Sequence, residues 1–300
     1  MTVQKFGVFG YPISHSLSPA MHTAAFSALR MTDCVYEAYA VMPEELKEAV
    51  LKAQADGFRG LNLTIPHKEK ILESGIVNPD RFAEKVGAVN TLLFENDGIY
   101  GFNTDAAGAL SALKTAGADP AGKNILIIGA GGAARSISFL FGELGNTVRI
   151  INRTAEKAER LAAEIAKKTE NRNVSGGGFS TGWEDSAQAD IIIQTTELGM
   201  GKYEDVSFFD QLERPAGKTK DEMIQARLKD KVVAFDIVYN PWETKFLNDV
   251  KKAEKAGAKT LNGVMMLVYQ GALAFEIWTG QKPDVAVMEK AVLKGLERKE

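Results

Sequence analysis

Residues Asn124 to Ile128 form a short apolar run. The chain then reads Gly129-Ala130-Gly131-Gly132-Ala133-Ala134-Arg135 before an apolar-rich helical pattern that continues to about Gly142. Few folds accommodate that order. A buried-type strand has to turn sharply with no side chains in the way and open directly into a helix. Gly129, Gly131 and Ala134 have the G-x-G-x-x-G/A spacing, in which glycine permits both the tight turn and a close approach of backbone to ligand. The helix start then presents unpaired N–H groups and the positive end of the helix dipole to an anion such as a pyrophosphate. A second strand-like run, Thr147–Ile151, comes next and completes a βαβ unit. The segment predicts dinucleotide binding on a Rossmann-type fold.

The residues just after that second strand bear on which dinucleotide binds. An acidic residue there would bind a ribose 2′-hydroxyl, but the chain has Asn152, Arg153 and Thr154, with Lys157 one turn on. A guanidinium can stack on adenine and fork onto a 2′-phosphate, with a hydroxyl and a second cation in support. NADP(H) is therefore expected over NAD.

Alternation of short apolar runs with helical patterns extends through the whole chain and predicts an α/β protein with mostly parallel sheets. Strands are expected at residues 6–9, 35–40, 60–65, 190–194 and 232–237, and helices at 19–29, 44–55, 105–116, 155–168 and 245–256. Runs 89–94 and 99–102 flank an Asp97-Gly98 step, a strong hairpin signal. Segment 202–229 is polar and poorly periodic and predicts a surface excursion of loops and short helices. Segment 263–278 is almost wholly apolar at helical length and predicts a helix buried on most sides.

A chain of 300 residues exceeds one typical core, so two domains are expected. The net charge of −3 argues against a nucleic-acid partner. No apolar run approaches the ~20 residues that span a bilayer, so no membrane partner is expected. The N-terminal residues lack the apolar core of a signal peptide. The single Cys34 has no partner for an internal disulfide and no ligand cluster around it, which fits a buried small hydrophobe in a reducing compartment. Together these features predict a cytoplasmic protein.

Four clusters carry the remaining chemistry. In Asn62-Leu63-Thr64-Ile65-Pro66-His67-Lys68, a strand runs into Pro66 at an expected first helical position, leaving Lys68 in the first turn near the positive end of the helix dipole. A lysine beside polar Asn62 and Thr64 at a strand end suits proton transfer to a substrate oxygen. Taken alone, however, the segment reads better as a solvated surface lysine. Ser14-His15-Ser16-Leu17-Ser18-Pro19 offers Ser18 as an N-cap with Pro19 next. The Ser16 and Ser18 hydroxyls with free N–H groups would make an uncharged carboxylate site. Gly87 to Thr91 and Gly101 to Asp105 form two more helix-start clusters. Asp105 is favourably placed there as an anion and could pair with Lys68.

In order along the chain, these clusters, Gly129 to Arg135, Asn152-Arg153-Thr154, residues 195–200, 236–241 and Gln270-Gly271-Ala272 resemble the shikimate dehydrogenase family over nearly the full length. The resemblance implies an N-terminal substrate domain of residues 1–105 completed by C-terminal helices in 263–300. It also implies a Rossmann NADP-binding domain of 106–262, with a cleft between the two. The implied reaction is reversible NADPH-dependent reduction of 3-dehydroshikimate to shikimate, on the route to chorismate and the aromatic amino acids. Lys68, paired with Asp105, would be the acid/base group. Ser16 and Ser18 would bind the carboxylate, and Thr64, Asn90, Asp105 and Gln270 the ring hydroxyls, with Tyr239 nearby. Gly129, Ala130, Gly131, Gly132, Ala133, Ala134, Asn152, Arg153, Thr154 and Lys157 would hold NADP. Thr195, Val238, Gly263 and Met266 would surround its nicotinamide end. The family pattern is departed from at Gln194, where Asn is usual, at Asn262 before Gly263, at Lys157, and in a longer stretch after Gly201. A quinate/shikimate dehydrogenase of broader specificity and a non-catalytic shikimate sensor are the alternatives. Arg153 argues against the NAD-linked form of the first, and the presence of both Lys68 and Asp105 argues against the second. The oligomeric state stays open, a homodimer among the options.

Overall fold

Two six-stranded sheets account for the alternation of apolar runs and helical patterns. The computed structural model describes residues 3–297. The chain divides into two units: the first runs to Ala109 and resumes at Met265, and the second is Leu110–Val264.

The first unit begins β1 (Gln4–Gly10), α1 (Ser18–Ala28), β2 (Cys34–Ala40), α2 (Leu46–Ala55), β3 (Phe58–Leu63) and α3 (His67–Glu73). It continues β4 (Asn78–Pro79), α4 (Arg81–Val86), β5 (Thr91–Glu95), β6 (Gly98–Phe102) and the first turn of α5 (Asp105–Thr115), the rest of which is counted with the second unit. The sheet order is β2-β1-β3-β5-β6-β4. β1 pairs in parallel with β2 and β3, as helical crossovers require, while β5 runs antiparallel to β3 and β6. The β5–β6 hairpin turns at Asp97-Gly98 as expected. Phe9, Leu46, Val50, Leu61, Leu63, Ile71 and Leu92 fill one side of the sheet.

The second unit contains β7 (Asn124–Ile128), α6 (Gly132–Glu143), β8 (Thr147–Ile151), α7 (Ala155–Thr169), β9 (Val174–Gly177), α8 (Gly182–Gln188), β10 (Ile191–Gln194), α9 (Lys220–Arg227), β11 (Val233–Asp236), α10 (Lys245–Lys252) and β12 (Lys259–Leu261). All five strand pairings are parallel, in the order β12-β11-β10-β7-β8-β9. This is the doubly wound Rossmann order, and its topological switch point lies between β7 and β10. Helices α11 (Val264–Thr279) and α12 (Val285–Glu297) return the chain to the first unit. Trp278 of α11 donates its indole N–H to Leu92 O at 2.9 Å and lies where a side chain at position 60 would be, so Gly60 is required there.

Several local expectations need correction. Ser18 is not the N-cap of α1: it is the first helical residue, buried, with Leu17 at the cap position. Its N–H is taken by Ser16 Oγ at 3.3 Å, so the serine two residues upstream supplies the acceptor. Pro66 stands at the N-cap of α3 and not at its first helical position, and β3 ends at Leu63. Lys68 nonetheless remains in the first turn. The 202–229 stretch does consist of loops and short helices, but it is more than a surface excursion. Phe208, Phe209, Leu212, Met223 and Ile224 are buried in the second core with Trp183 and Phe246. These apolar residues fall at irregular spacing among charged ones, so periodicity misses them. Cys34 is half-buried at the start of β2, and burial with the neighbouring Asp33 carboxylate pushes its thiol up to about 11. The short elements β4, β9, α8 and β12 are too brief to leave a periodic signal.

Candidate active site

In the first unit, three strand ends and helix starts meet through backbone bonds. Val89 N–H donates to Lys68 O at 2.7 Å and Leu63 N–H to Asn90 O at 2.8 Å, which fixes the ends of β3 and α3 beside the turn before β5. On that frame Lys68 Nζ donates to Asp105 Oδ2 at 2.7 Å, with the two side chains only 16% and 5% exposed. Solvent screening of such a pair is weak, and its charges act strongly on whatever approaches. Asp105 opens α5, and its own N–H is taken by Asn103 Oδ1 at 3.2 Å.

Asn90 is buried and organises the cluster. Its amide nitrogen faces Asp105 Oδ1 and Thr104 Oγ1, both at 2.9 Å, and Gln270 Oε1 at 3.3 Å. Its carbonyl oxygen accepts from Thr104 N–H at 2.8 Å and from Thr91 Oγ1 at 3.0 Å. Lys68, Asp105, Asn90 and Gln270, which come from four separate segments, are thus one hydrogen-bonded group.

A second chain of contacts runs from this group toward the serine turn. Asn62 donates to Asn90 O at 3.2 Å and Thr91 Oγ1 at 3.1 Å, and its own oxygen accepts from the Tyr36 hydroxyl at 2.7 Å. Burial holds the Tyr36 phenol well above its ordinary range, opposed by the Ser18 hydroxyl facing it. Ser16 is half-buried next to Ser18. Thr64 sits at the end of β3, its methyl packed where a Cβ on Gly10 would fall. His22, wholly buried, stacks on Tyr36 at 4.4 Å between ring centroids, and burial drives its imidazole down to about 3. Tyr36 and His22 carry no signal of their own in the sequence, a tyrosine at an inward position of an alternating strand being the only hint available, and Thr104 lies in the Gly101–Asp105 cluster without a role read for it.

The second unit presents a different kind of site. Gly129 closes β7 with φ of +117°, a conformation that favours glycine, and a Cβ there would lie 2.5 Å from Thr195 Oγ1. Thr195 is tied to the same turn, its hydroxyl donating to Ile128 O at 2.7 Å. Gly131 is the N-cap of α6, makes no side-chain cap and faces open space, leaving a helix start with free N–H groups. Ala130, Gly132 and Ala133 are half-buried along the turn, and Ala134 is buried in α6. At the end of β8, Asn152 Nδ2 donates to Thr154 O at 3.0 Å. Arg153 and Lys157 are exposed there, and no side-chain partner engages either among the described residues. The glycine cradle, free helix start and unpaired cations fit a phosphorylated dinucleotide.

Val238 and Gly263 belong to the same unit, joined by Gly263 N–H to Val238 O at 3.0 Å. A Cβ at Gly263 would collide with Ile237 O. Two expected residues are assigned apart from their companions: Tyr239 lies in the second unit, and Met266 on α11 in the first. Among the described residues no group of three or more His, Cys, Asp or Glu is arranged to hold a metal ion, and no helix is long and apolar enough to cross a membrane.

A doubly wound parallel sheet with a glycine turn at its switch point, preceded by a mixed sheet that carries a buried Lys–Asp pair, defines a two-unit α/β protein of the dinucleotide-binding class. Residues 8–92 match the family model of the shikimate dehydrogenase substrate binding domain, 111–198 that of shikimate / quinate 5-dehydrogenase, and 263–293 that of the shikimate 5′-dehydrogenase C-terminal domain. The chain belongs to the shikimate dehydrogenase family. It is 47% identical over 295 residues to shikimate dehydrogenase (NADP(+)) of Methanosarcina mazei, covering 98% of this chain and 99% of the relative. A solved shikimate dehydrogenase in complex with NADP+ matches with a TM-score of 0.85 at 39% identity, over 99% of this chain and 98% of the other. The Thermus thermophilus shikimate 5-dehydrogenase, solved with NADP(H) and shikimate, matches with a TM-score of 0.80 at 34% identity, over 98% of this chain and all of the other.

Proposed function

We propose that this chain reduces 3-dehydroshikimate reversibly to shikimate with NADPH, on the route to chorismate and the aromatic amino acids. The observation that carries the reading is the water-shielded Lys68–Asp105 pair, held by Asn90 and Gln270. Relatives that cover almost the whole chain bear names and ligands of the same kind.

The first unit is assigned to the substrate. Ser16 and Ser18 take its carboxylate, and Thr64, Asn90, Asp105 and Gln270 take its hydroxyls. Tyr239 keeps the substrate role that the family resemblance gives it. The second unit is assigned to NADP(H). Gly129 to Ala134 cradle the pyrophosphate, and Arg153 with Thr154 and Lys157 receives the 2′-phosphate, Asn152 shaping the turn. Thr195, Val238, Gly263 and Met266 are assigned to the nicotinamide end. The reading carries with it a cytoplasmic enzyme and leaves a homodimer as the assembly to be measured.

When bound, NADPH supplies the hydride for the ring ketone. The ketone oxygen gains negative charge as its carbon is reduced, and Lys68 as ammonium stabilises that charge and delivers the proton. Asp105 fixes the direction of the Lys68 side chain, and Asn90 fixes Asp105, so little reorganisation is needed at the moment of transfer. In the oxidative direction neutral Lys68 accepts the proton from the alcohol.

The test is a matrix of shikimate and quinate, each with NADP+ and NAD+, followed at ~340 nm where reduced nicotinamide absorbs. Shikimate with NADP+ is expected to turn over fastest. No turnover with shikimate, or faster turnover of quinate with NAD+, would overturn the reading.

A further inference from the structure

One buried carboxyl in the second unit is left unused by this chemistry. Asp236 ends β11 with its side chain fully shielded from water, and every contact on it is a donor. Oδ1 accepts from Val238 N–H at 3.0 Å and from Gln194 Nε2 at 3.5 Å, and Oδ2 accepts from Thr244 Oγ1 at 2.7 Å. Gln194, the residue that departs from the family's usual Asn, is itself buried at the end of β10. Its amide nitrogen also donates to Leu198 O at 2.8 Å, and its oxygen accepts from Thr196 N–H and Thr196 Oγ1, both at 2.6 Å. The extra methylene lets one side chain bridge the carboxyl and the far end of the 195–199 loop.

Everything assigned to the nicotinamide end within this unit hangs from that network. Thr195 begins the loop that Gln194 folds. Val238 is pinned by its N–H to Asp236 and by its carbonyl to Gly263 N–H. Thr244 caps α10 and packs where a Cβ on Gly199 would lie, 2.9 Å from its Cβ. We propose that Asp236, acting through Gln194, is a positioning residue that holds the 195–199 and 237–241 loops in the form that receives the nicotinamide end of the cofactor, and that protonating its carboxyl loosens them. The proposal rests on the cofactor assignment made above.

The direction of the pH effect comes from the contacts. As a carboxylate, Asp236 accepts all three bonds, and charged acceptors make the stronger ones. Protonation removes the charge that strengthens these bonds: a proton on Oδ1 faces only donors, Val238 N–H and Gln194 Nε2, and one on Oδ2 is accommodated only by reversing the Thr244 hydroxyl bond. The groups acting on the carboxyl are uncharged: Thr244 from the start of α10, Gln194 from β10 and the Val238 N–H. The cation Lys245, next to Thr244 in sequence, is committed to Asp249 at 2.6 Å. Burial raises the Asp236 carboxyl to about 7, which puts the change within the working range of pH.

The experiment measures NADP+ dissociation constants by titration calorimetry from pH 6 to 8.5, and KM for NADP+ over the same range, for the intact protein, Asp236→Asn and Gln194→Asn. In the unsubstituted protein, affinity should fall about fivefold between the alkaline and acid arms. Asp236→Asn should bind at the weakened level throughout, with the inflection near 7 gone and KM for shikimate unchanged. The cofactor's own 2′-phosphate titrates near 6, and that part of the profile persists in the variant and is thereby separated. Gln194→Asn should keep the inflection but weaken NADP+ by a few-fold. The proposal is overturned if Asp236→Asn retains both the affinity and the pH profile of the unsubstituted protein. It is also overturned if shikimate KM rises as much as NADP+ KM. Failure of the cofactor assignment looks different: the unsubstituted protein would then bind no NADP+ at any pH.

Discussion

The two units prepare their sites in opposite ways. In the first, Lys68 and Asp105 are joined to each other and Asn90 holds Thr104, Asp105 and Gln270. In the second, the cradle is made of what is missing: no Cβ at Gly129, no side-chain cap at Gly131 and, among the described residues, no counter-charge on Arg153. A closed polar network fixes geometry before ligand arrives, which proton transfer needs. An open helix start with free cations has its interactions completed by the ligand's own phosphates. One site is built for precision of angle and the other for gain of charge.

That contrast can be broken most sharply at Lys68. Lys68→Ala should lower kcat by about 10³-fold with KM for shikimate changed only a few-fold, because the loss falls on the transition state. An unchanged kcat would remove Lys68 from the chemistry and reduce the first site to a binding pocket.

The next effect sets the units against each other through acid. His22 in the first unit has its pKa lowered from 6.5 to about 3, chiefly by burial. The unfolded chain therefore takes up a proton that the folded chain refuses, and His22 costs stability as pH falls below 6.5. The cost grows to on the order of 4 kcal/mol toward pH 3. Asp236 in the second unit has its pKa raised from 3.8 to about 7. Its contribution is fully present below 3.8 and is lost as pH rises through 7, so it favours the folded state in acid by a similar order. Calorimetric scans between pH 4 and 7 should show His22→Phe flattening the acid loss and Asp236→Asn steepening it. Identical pH slopes in both variants would mean that neither buried group is placed as described.

Smaller effects test the openness of the cofactor site. Arg153→Ala should cut the preference for NADPH over NADH by about ten- to fiftyfold through NADPH affinity, measured as the ratio of kcat/KM values. An unchanged ratio would mean that the guanidinium does not read the phosphate. Ser16→Ala should be mildest, raising KM for shikimate several-fold with kcat near its starting value, since a neutral hydrogen bond is exchanged for water. A collapse of kcat would instead place Ser16 within the proton-transfer group.

Legibility in the sequence depends on how local each feature is. The β7–α6 turn is readable because its requirement is steric and lies within seven consecutive residues. The hairpin at Asp97-Gly98 is readable for the same reason, and the pairing of Lys68 with Asp105 can be inferred from two helix starts. Ser18 is misplaced by sequence reasoning because its cap position depends on the hydroxyl of Ser16, a competition between neighbours that propensity does not resolve. The burial of Phe208 and Phe209 is hidden by flanking charges. The Ser18–Tyr36–Asn62 relay joins segments 18 and 26 residues apart in sequence, and nothing about Tyr36 alone says which way it points. The Asp236 network is hidden too, although the one unusual residue in it, Gln194, stands out against the family pattern.

Trp278 against Gly60 has a consequence for how the molecule comes into being. The first unit's core includes Phe6, Phe26 and the backbone of β3, yet the tryptophan and Phe275 that pack with them are encoded more than two hundred residues later. As the chain leaves the ribosome, the segment made first has to wait with an unfilled hollow while the middle segment has everything its own sheet needs. The unit built from one continuous stretch, Leu110–Val264, is thus able to finish before the one whose two parts flank it in sequence.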